Sequence, residues 1–223
     1  MENIVNKTED IEIIPISKQE IFNPKNTTKG IEKVNTISDK VEQIVWYNEK
    51  ELKMFFMSIP QDRMRDKVFF LSLLGTGKRV SELLSVKKNE IDFTNRTMKI
   101  VSLKKRKKKI EVIRLHQDIA YWLSIYTSNL NANDLIFSFT RQYADDLCKK
   151  YAKMAGLTYK RSSCHNFRHT FAVRWLEQGK PIHKLKRHLN HAHITTTMKY
   201  LQIVDSDYFE TVDGLDMLGF LKY

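Results

Sequence analysis

Apolar positions recur at helical spacing from Tyr47 onward and show no sustained period before it. In NEKELKMFFMSI, Leu52, Phe55, Phe56 and Ile59 share one face, and Pro60 ends the run. RDKVFFLSLLGTG predicts a second, largely buried helix that stops on Gly75 and Gly77. RVSELLSV, residues 79–86, predicts a third, with Val80, Leu83 and Leu84 together. The period then changes. Thr97 to Leu103 and Ile110 to Leu115 alternate or are β-branched, and KKRKKK between them predicts a β-hairpin with a basic tip. Helical spacing returns in DIAYWLSIYTSNL, RQYADDLCKKYAKMAG, NFRHTFAVRWLEQG, PIHKLKRHL and ITTTMKYLQ, with Gly156 and Gly179 where helix ends favour them. The pattern predicts a mainly α fold with a small antiparallel β-sheet, an α+β arrangement.

The two ends read differently. Residues 1–45 are rich in Asn, Lys, Thr and Glu, and with Pro24, Gly30 and PKNTTKG they predict a flexible arm or linker. Residues 46–205 carry the folded domain, and residues 206–223 predict an amphipathic tail helix. Its apolar side chains, Tyr208, Phe209, Leu215, Met217, Leu218 and Phe220, suit docking on a neighbouring copy or on the same domain.

Charge adds a partner. Thirty-eight Lys+Arg against 26 Asp+Glu give a net charge of +12, which points to a polyanion, nucleic acid first and anionic membrane second. The longest apolar stretch, VFFLSLLG, is far shorter than the roughly 20 residues that span a bilayer. MENIVNKTEDIEI is too acidic and too broken for a signal peptide, and two cysteines, Cys148 and Cys164, cannot staple a chain of 223 residues. The expected location is cytoplasmic and nucleoid-associated.

Four stretches carry candidate chemistry. Between Arg96 and Arg114 stand nine Lys or Arg and one acid, Glu111, a density that suits phosphate neutralisation better than a solvated turn. GTGKRVSEL lacks the complete GxxxxGK[ST] pattern of a nucleotide loop, but it puts Arg79 at a helix start with Glu82 one turn on. An arginine there can fork onto a phosphate while the carboxylate orients it, although such pairs are also common surface decoration. Six of seven histidines lie between His165 and His193 without an HExxH or CxxC spacing, so no metal is expected. His165 and Arg168, at i and i+3, share a face suited to an anion, whereas His169 and His183 read as structural core histidines. Tyr200 follows His191 by nine residues. A tyrosine there is either packing or a nucleophile, and with a free pKa near 10 a nucleophile needs cations and a proton acceptor beside it.

Read in order, these residues resemble the catalytic domain of the tyrosine recombinases, the phage integrase and Xer family. GTGKRVSELLSV is similar to the family's TGLR-SELL-L box and supplies Arg79 and Glu82. HNFRHTFAV is similar to H-x-L-R-H-T-F-A and supplies His165 and Arg168. LNHAHITTTMKY is similar to LGH-x-x-I-x-T-T-x-x-Y and supplies His191 and Tyr200. The departures are Asn190 for the usual glycine, Lys78 for a leucine and Arg114 for a proline, none of which removes a catalytic group.

The resemblance implies site-specific cleavage and rejoining of double-stranded DNA through a 3′-phosphotyrosine, with no cofactor, metal or ATP. Tyr200 would be the nucleophile, Arg79, Arg168 and His191 the phosphate clamps, His165 the base and Glu82 a buttress. The family's hairpin lysine is expected at Lys104, with Lys105 and Lys107 as alternatives. Lys105, Arg106, Lys107, Lys108 and Lys109 would grip DNA. Four protomers are expected at a synapse, and the short arm implies either an accessory protein or a missing N-terminal core-binding domain. A type IB topoisomerase and a non-catalytic DNA-binding protein are the alternative readings.

Overall fold

The computed structural model describes residues 44–102 and 109–204, with the side chains of Ser102 and Lys109 left out. The arm, the hairpin tip with Lys104 to Lys108, and the tail therefore lie outside the described residues, and so does the Lys109 side chain.

Helix α1 (Glu49–Met57) starts on a capping box. The Asn48 side chain accepts from the Glu51 amide and the Glu51 carboxylate accepts from the Asn48 amide, both at 2.9 Å. Helix α2 (Met64–Thr76) is buried along Val68, Phe69, Phe70 and Leu73. It ends on Gly77, whose φ of 60° turns the chain abruptly into α3 (Val80–Leu84). Strands β1 (Ile91–Asp92), β2 (Thr97–Ser102) and β3 (Lys109–Arg114) form an antiparallel sheet in the order β1-β2-β3. Pairing of Thr97 with Arg114 sets a register in which Met98, Ile100 and Ile113 face the core while Ile110 and Val112 face out.

The second half is helical: α4 (Gln117–Tyr126), α5 (Arg141–Met154), α6 (His165–Glu177), α7 (Ile182–Leu189), α8 (Thr195–Met198) and α9 (Leu201–Val204). Helix α6 separates two apolar clusters. Phe167 joins the larger one, where its ring lies 5.1 Å from Phe55 and 5.3 Å from Phe70. Ala172, Val173 and Leu176 join the smaller one with Leu185, Leu189 and Tyr200. Packing from both sides fixes the helix that carries His165, Arg168 and His169.

The mainly α fold with a small sheet is as the periodicity predicts, with two differences. The sheet has a third strand, β1, too short at two residues to carry a period. The helix expected over ITTTMKYLQ is two four-residue helices, with Tyr200 between them. Around the break the bonds are of i+3 type, Tyr200 N–H to Thr197 O and Ile203 N–H to Tyr200 O. Three consecutive β-branched threonines hold a longer helix poorly, and the buried Tyr200 ring pins the chain inward.

Gly77 is essential to this arrangement. A Cβ there would lie 2.4 Å from Phe171 Cδ1, and the left-handed φ is itself unfavourable for a side chain. Gly77→Ala is expected to cost about 2–3 kcal/mol through strain and clash. Thermal unfolding followed by circular dichroism should show a melting temperature lower by roughly 5–10 °C; an unchanged value would contradict the assigned geometry.

Candidate active site

Arg79 is the residue before α3, in extended backbone, and Glu82 fixes it twice. The carboxylate of Glu82 accepts from the Arg79 amide at 2.9 Å and from Nη1 at 3.1 Å. Glu82 is buried, whereas the Arg79 side chain keeps 34% of its surface. Part of that guanidinium thus remains available to an anion. It lines a recess of about 390 Å³ together with Arg141, Lys149, Lys160 and His165.

Arg168 is the opposite case, only 2% exposed. Its Nη1 donates to the Gly77 carbonyl at 2.9 Å and its Nη2 to the Leu189 carbonyl. The same Nη2 lies 3.3 Å from His191 Nε2. Arginine only donates, so Nε2 is the acceptor and Nδ1–H of His191 donates to Thr197 Oγ1 at 2.9 Å. Burial and the charge of Arg79 lower the Arg168 pKa to about 10, which still leaves it cationic at neutral pH. The carbonyls it holds come from the α2–α3 turn and the end of α7, so one side chain ties three segments of the site together.

Two departures from the family pattern have structural reasons. Asn190 follows α7 with φ 58° and ψ 38°, the left-handed conformation that glycine favours and asparagine tolerates. Lys78 is buried, and its Nζ donates to Glu111 on β3 at 3.1 Å and to the His188 carbonyl at 2.6 Å. Desolvation lowers its pKa, and the Glu111 carboxylate opposes that fall.

Tyr200 is 3% exposed, and its ring stacks over His191 with centroids 6.4 Å apart. Burial raises its pKa, while Arg168 and Arg79 pull it down. Its hydroxyl lies 2.9 Å from Nδ1 of His169. His169, read from the sequence as a structural histidine, therefore also contacts Tyr200. The reading of His183 as a core histidine is corrected: it is exposed on α7, outside the core. The expected base, His165, sits one ring further out, its centroid 4.6 Å from that of His169 at 89°. Desolvation, then the guanidinium groups of Arg168, Arg79 and Arg141, hold the His165 imidazole below its ordinary range. Desolvation and the neighbouring His165, Arg168 and His191 push His169 further, to about 3.

The structure thus gathers Arg168, His191 and Tyr200 through direct contacts, with Arg79 and Glu82 beside them. His169 was legible only as i+4 from His165, a spacing equally consistent with packing. Among the described residues, no three His, Cys, Asp or Glu side chains are grouped to hold a metal ion.

The low pKa of His169 has a consequence for stability. The unfolded imidazole takes a proton near 6.5, whereas the folded one stays neutral until about 3. The unfolded state therefore binds more protons between these values, and stability present above pH 6.5 drains away as pH falls. His165 and His188, also lowered, act in the same direction. Urea unfolding should show stability declining from pH 7 to pH 4, by on the order of 3 kcal/mol from His169. His169→Asn should flatten that slope, and an identical slope in the variant would contradict the burial assigned to the imidazole.

The helices packed on a three-stranded sheet, with an Arg–His–Tyr cluster at their junction, define the catalytic-domain fold of the tyrosine recombinases. The crystal structure of XerA recombinase superposes with a TM-score of 0.64 at 25% identity, covering 78% of this chain and 64% of that one. The catalytic domain of bacteriophage HP1 integrase superposes with a TM-score of 0.60 at 19% identity, covering 78% and 97%. The phage integrase family model matches residues 39–206, and the chain belongs to that family. Among its relatives are tyrosine recombinase XerA of Thermococcus onnurineus (strain NA1), 31% identical over 69% of this chain and 56% of the relative. A probable integrase/recombinase of Acholeplasma phage L2 is 29% identical over 79% and 60%. The chain spans less than two thirds of the length of these relatives. No described helix is long and apolar enough to cross a membrane.

Proposed function

We propose that the chain is the catalytic part of a site-specific DNA recombinase that cleaves and rejoins double-stranded DNA through a 3′-phosphotyrosine at Tyr200. The observation that carries this reading is Tyr200 itself, its hydroxyl 2.9 Å from His169 Nδ1 and its ring stacked over His191, which in turn contacts Arg168. Tyr200 attacks the phosphodiester and releases a 5′-hydroxyl. Arg79 and Arg168 hold the non-bridging oxygens as charge builds there. His191 joins them from Nε2, which requires a hydrogen on the nitrogen that accepts from Arg168 in the free chain. His165 assists proton removal, and Lys104 protonates the leaving oxygen. Glu82 orients Arg79 without reacting.

Lys105, Arg106, Lys107, Lys108 and Lys109 add phosphate contacts whose contribution falls with salt. Four protomers assemble on two duplexes in the cytoplasm, associated with the nucleoid, with the 206–223 tail as a docking element. An N-terminal core-binding domain or an accessory protein completes the grip on DNA. The energy of the broken phosphodiester is kept in the phosphotyrosine bond, so rejoining needs neither a metal nor ATP.

A plasmid carrying two copies of the chain's target site tests this reading. Exchange between the sites, with discrete deletion or inversion products, is the expected outcome. Relaxation of supercoils without exchange would instead indicate a topoisomerase, and neither activity would indicate a DNA-binding protein.

A further inference from the structure

The Tyr200 hydroxyl is hydrogen-bonded to His169, which is not the histidine expected from the motif. His169 Nδ1 is 2.9 Å away, while His165 lies behind it, its ring perpendicular to that of His169. His169 follows Arg168 directly on α6, a helix packed on both sides, so its ring is placed as firmly as the phosphate clamp. The charged and titratable groups around it are His165 and Arg168 on α6 and His191 and Tyr200 on the segment after α7. Burial and the neighbouring Arg168 keep His169 neutral, so Nδ1 is assigned as the acceptor of the tyrosine hydrogen bond and the ring hydrogen sits on Nε2.

We propose that His169 is a catalytic residue and the first acceptor of the Tyr200 proton, with His165 the outer member of a two-histidine pair. The proposal rests on Tyr200 being the nucleophile. As the Oη–phosphorus bond forms and the phosphorus–O5′ bond breaks, the Oη–H bond breaks and its proton moves to His169 Nδ1. The imidazolium so formed faces a phosphoryl group that is gaining negative charge, which offsets the burial and the Arg168 charge that oppose protonation in the free chain. On rejoining, the incoming 5′-hydroxyl returns its proton to Lys104 and displaces Oη, and the proton on Nδ1 returns to the tyrosine. His165 acts through His169 by setting its charge and ring orientation.

Two substitutions separate proton transfer from simple support. His169→Ala removes both the hydrogen bond and the base. His169→Asn retains an oxygen that can accept the hydroxyl hydrogen but cannot take the proton. Covalent adduct formation is measured in single turnover at saturating DNA, with DNA affinity and circular dichroism confirming that each variant is folded and bound. Both variants are expected to be about 10²–10³-fold slower than the parent, in line with loss of a general base. A fluorinated tyrosine at position 200, with a more acidic phenol, should shrink the His169→Asn defect by at least tenfold. A His169→Asn rate within threefold of the parent would reduce His169 to a hydrogen-bond acceptor and overturn the proposal. A defect unchanged by the fluorinated tyrosine would also overturn it. Failure of the underlying reading has a different signature: adduct would persist in Tyr200→Phe whatever stands at position 169.

Discussion

Replacing Arg168 with lysine is expected to lower the rate of DNA cleavage by about 10³-fold or more, with DNA binding reduced far less. The magnitude follows from what one guanidinium does here. It reaches the Gly77 carbonyl with Nη1 and the Leu189 carbonyl and His191 Nε2 with Nη2. A lysine retains the charge but presents its donors from one atom, so it cannot span the α2–α3 turn and the end of α7 together. At least one buried acceptor loses its donor, and the proposed clamp on the phosphoryl oxygens loses its planar fork. Arg168→Ala should add a stability loss of about 3 kcal/mol or more, because several buried acceptors are left unpaired. The pair is distinguished by unfolding curves alongside single-turnover cleavage. A lysine variant cleaving within tenfold of the parent would contradict the role assigned to the fork.

The second large effect is at the proposed nucleophile. Tyr200→Phe deletes one oxygen from a ring that is 3% exposed and stacked over His191. The ring packing survives, so folding and DNA binding should change by less than about 1 kcal/mol, offset in part by relief from holding a buried hydroxyl. Cleavage, by contrast, has no atom left to form the bond to phosphorus. The expected result is therefore complete loss of covalent chemistry in a folded, DNA-binding protein. Since Tyr200 lies between two four-residue helices, the segment that must bring its hydroxyl to a phosphodiester is held by packing on α6 and α7, not by a long helical ladder.

Much of the fold was readable because its elements bury one face. Leu52 and Phe55 on α1, Phe69, Phe70 and Leu73 on α2, and the alternation through Met98, Ile100 and Ile113 all sit in the core as their spacing predicts. What escaped were features set by tertiary contacts. Strand β1 is two residues long and exists because Met98 and Thr97 pair with Ile91 and Asp92. The break at Tyr200 depends on where its ring is anchored. Arg79, Arg168, His191 and Tyr200 were legible because their motifs fix residue type, order and spacing together. The contact of His169 with Tyr200 could not be read from the sequence, because it depends on where the chain after α7 returns to α6. Lys78 was seen as a departure, but its burial against Glu111 needed the register that turns Glu111 toward the inner face of β3.

The central claim is that Tyr200 becomes covalently joined to DNA. It is tested most directly with a nicked suicide substrate carrying the target sequence, incubated in EDTA and resolved under denaturing conditions. The expected result is a slower-migrating protein–DNA species, with the 3′ phosphate mapped by peptide mass spectrometry to Tyr200, that is absent from Tyr200→Phe. An adduct that persists in Tyr200→Phe, or one that forms only when a divalent metal is restored, would contradict it.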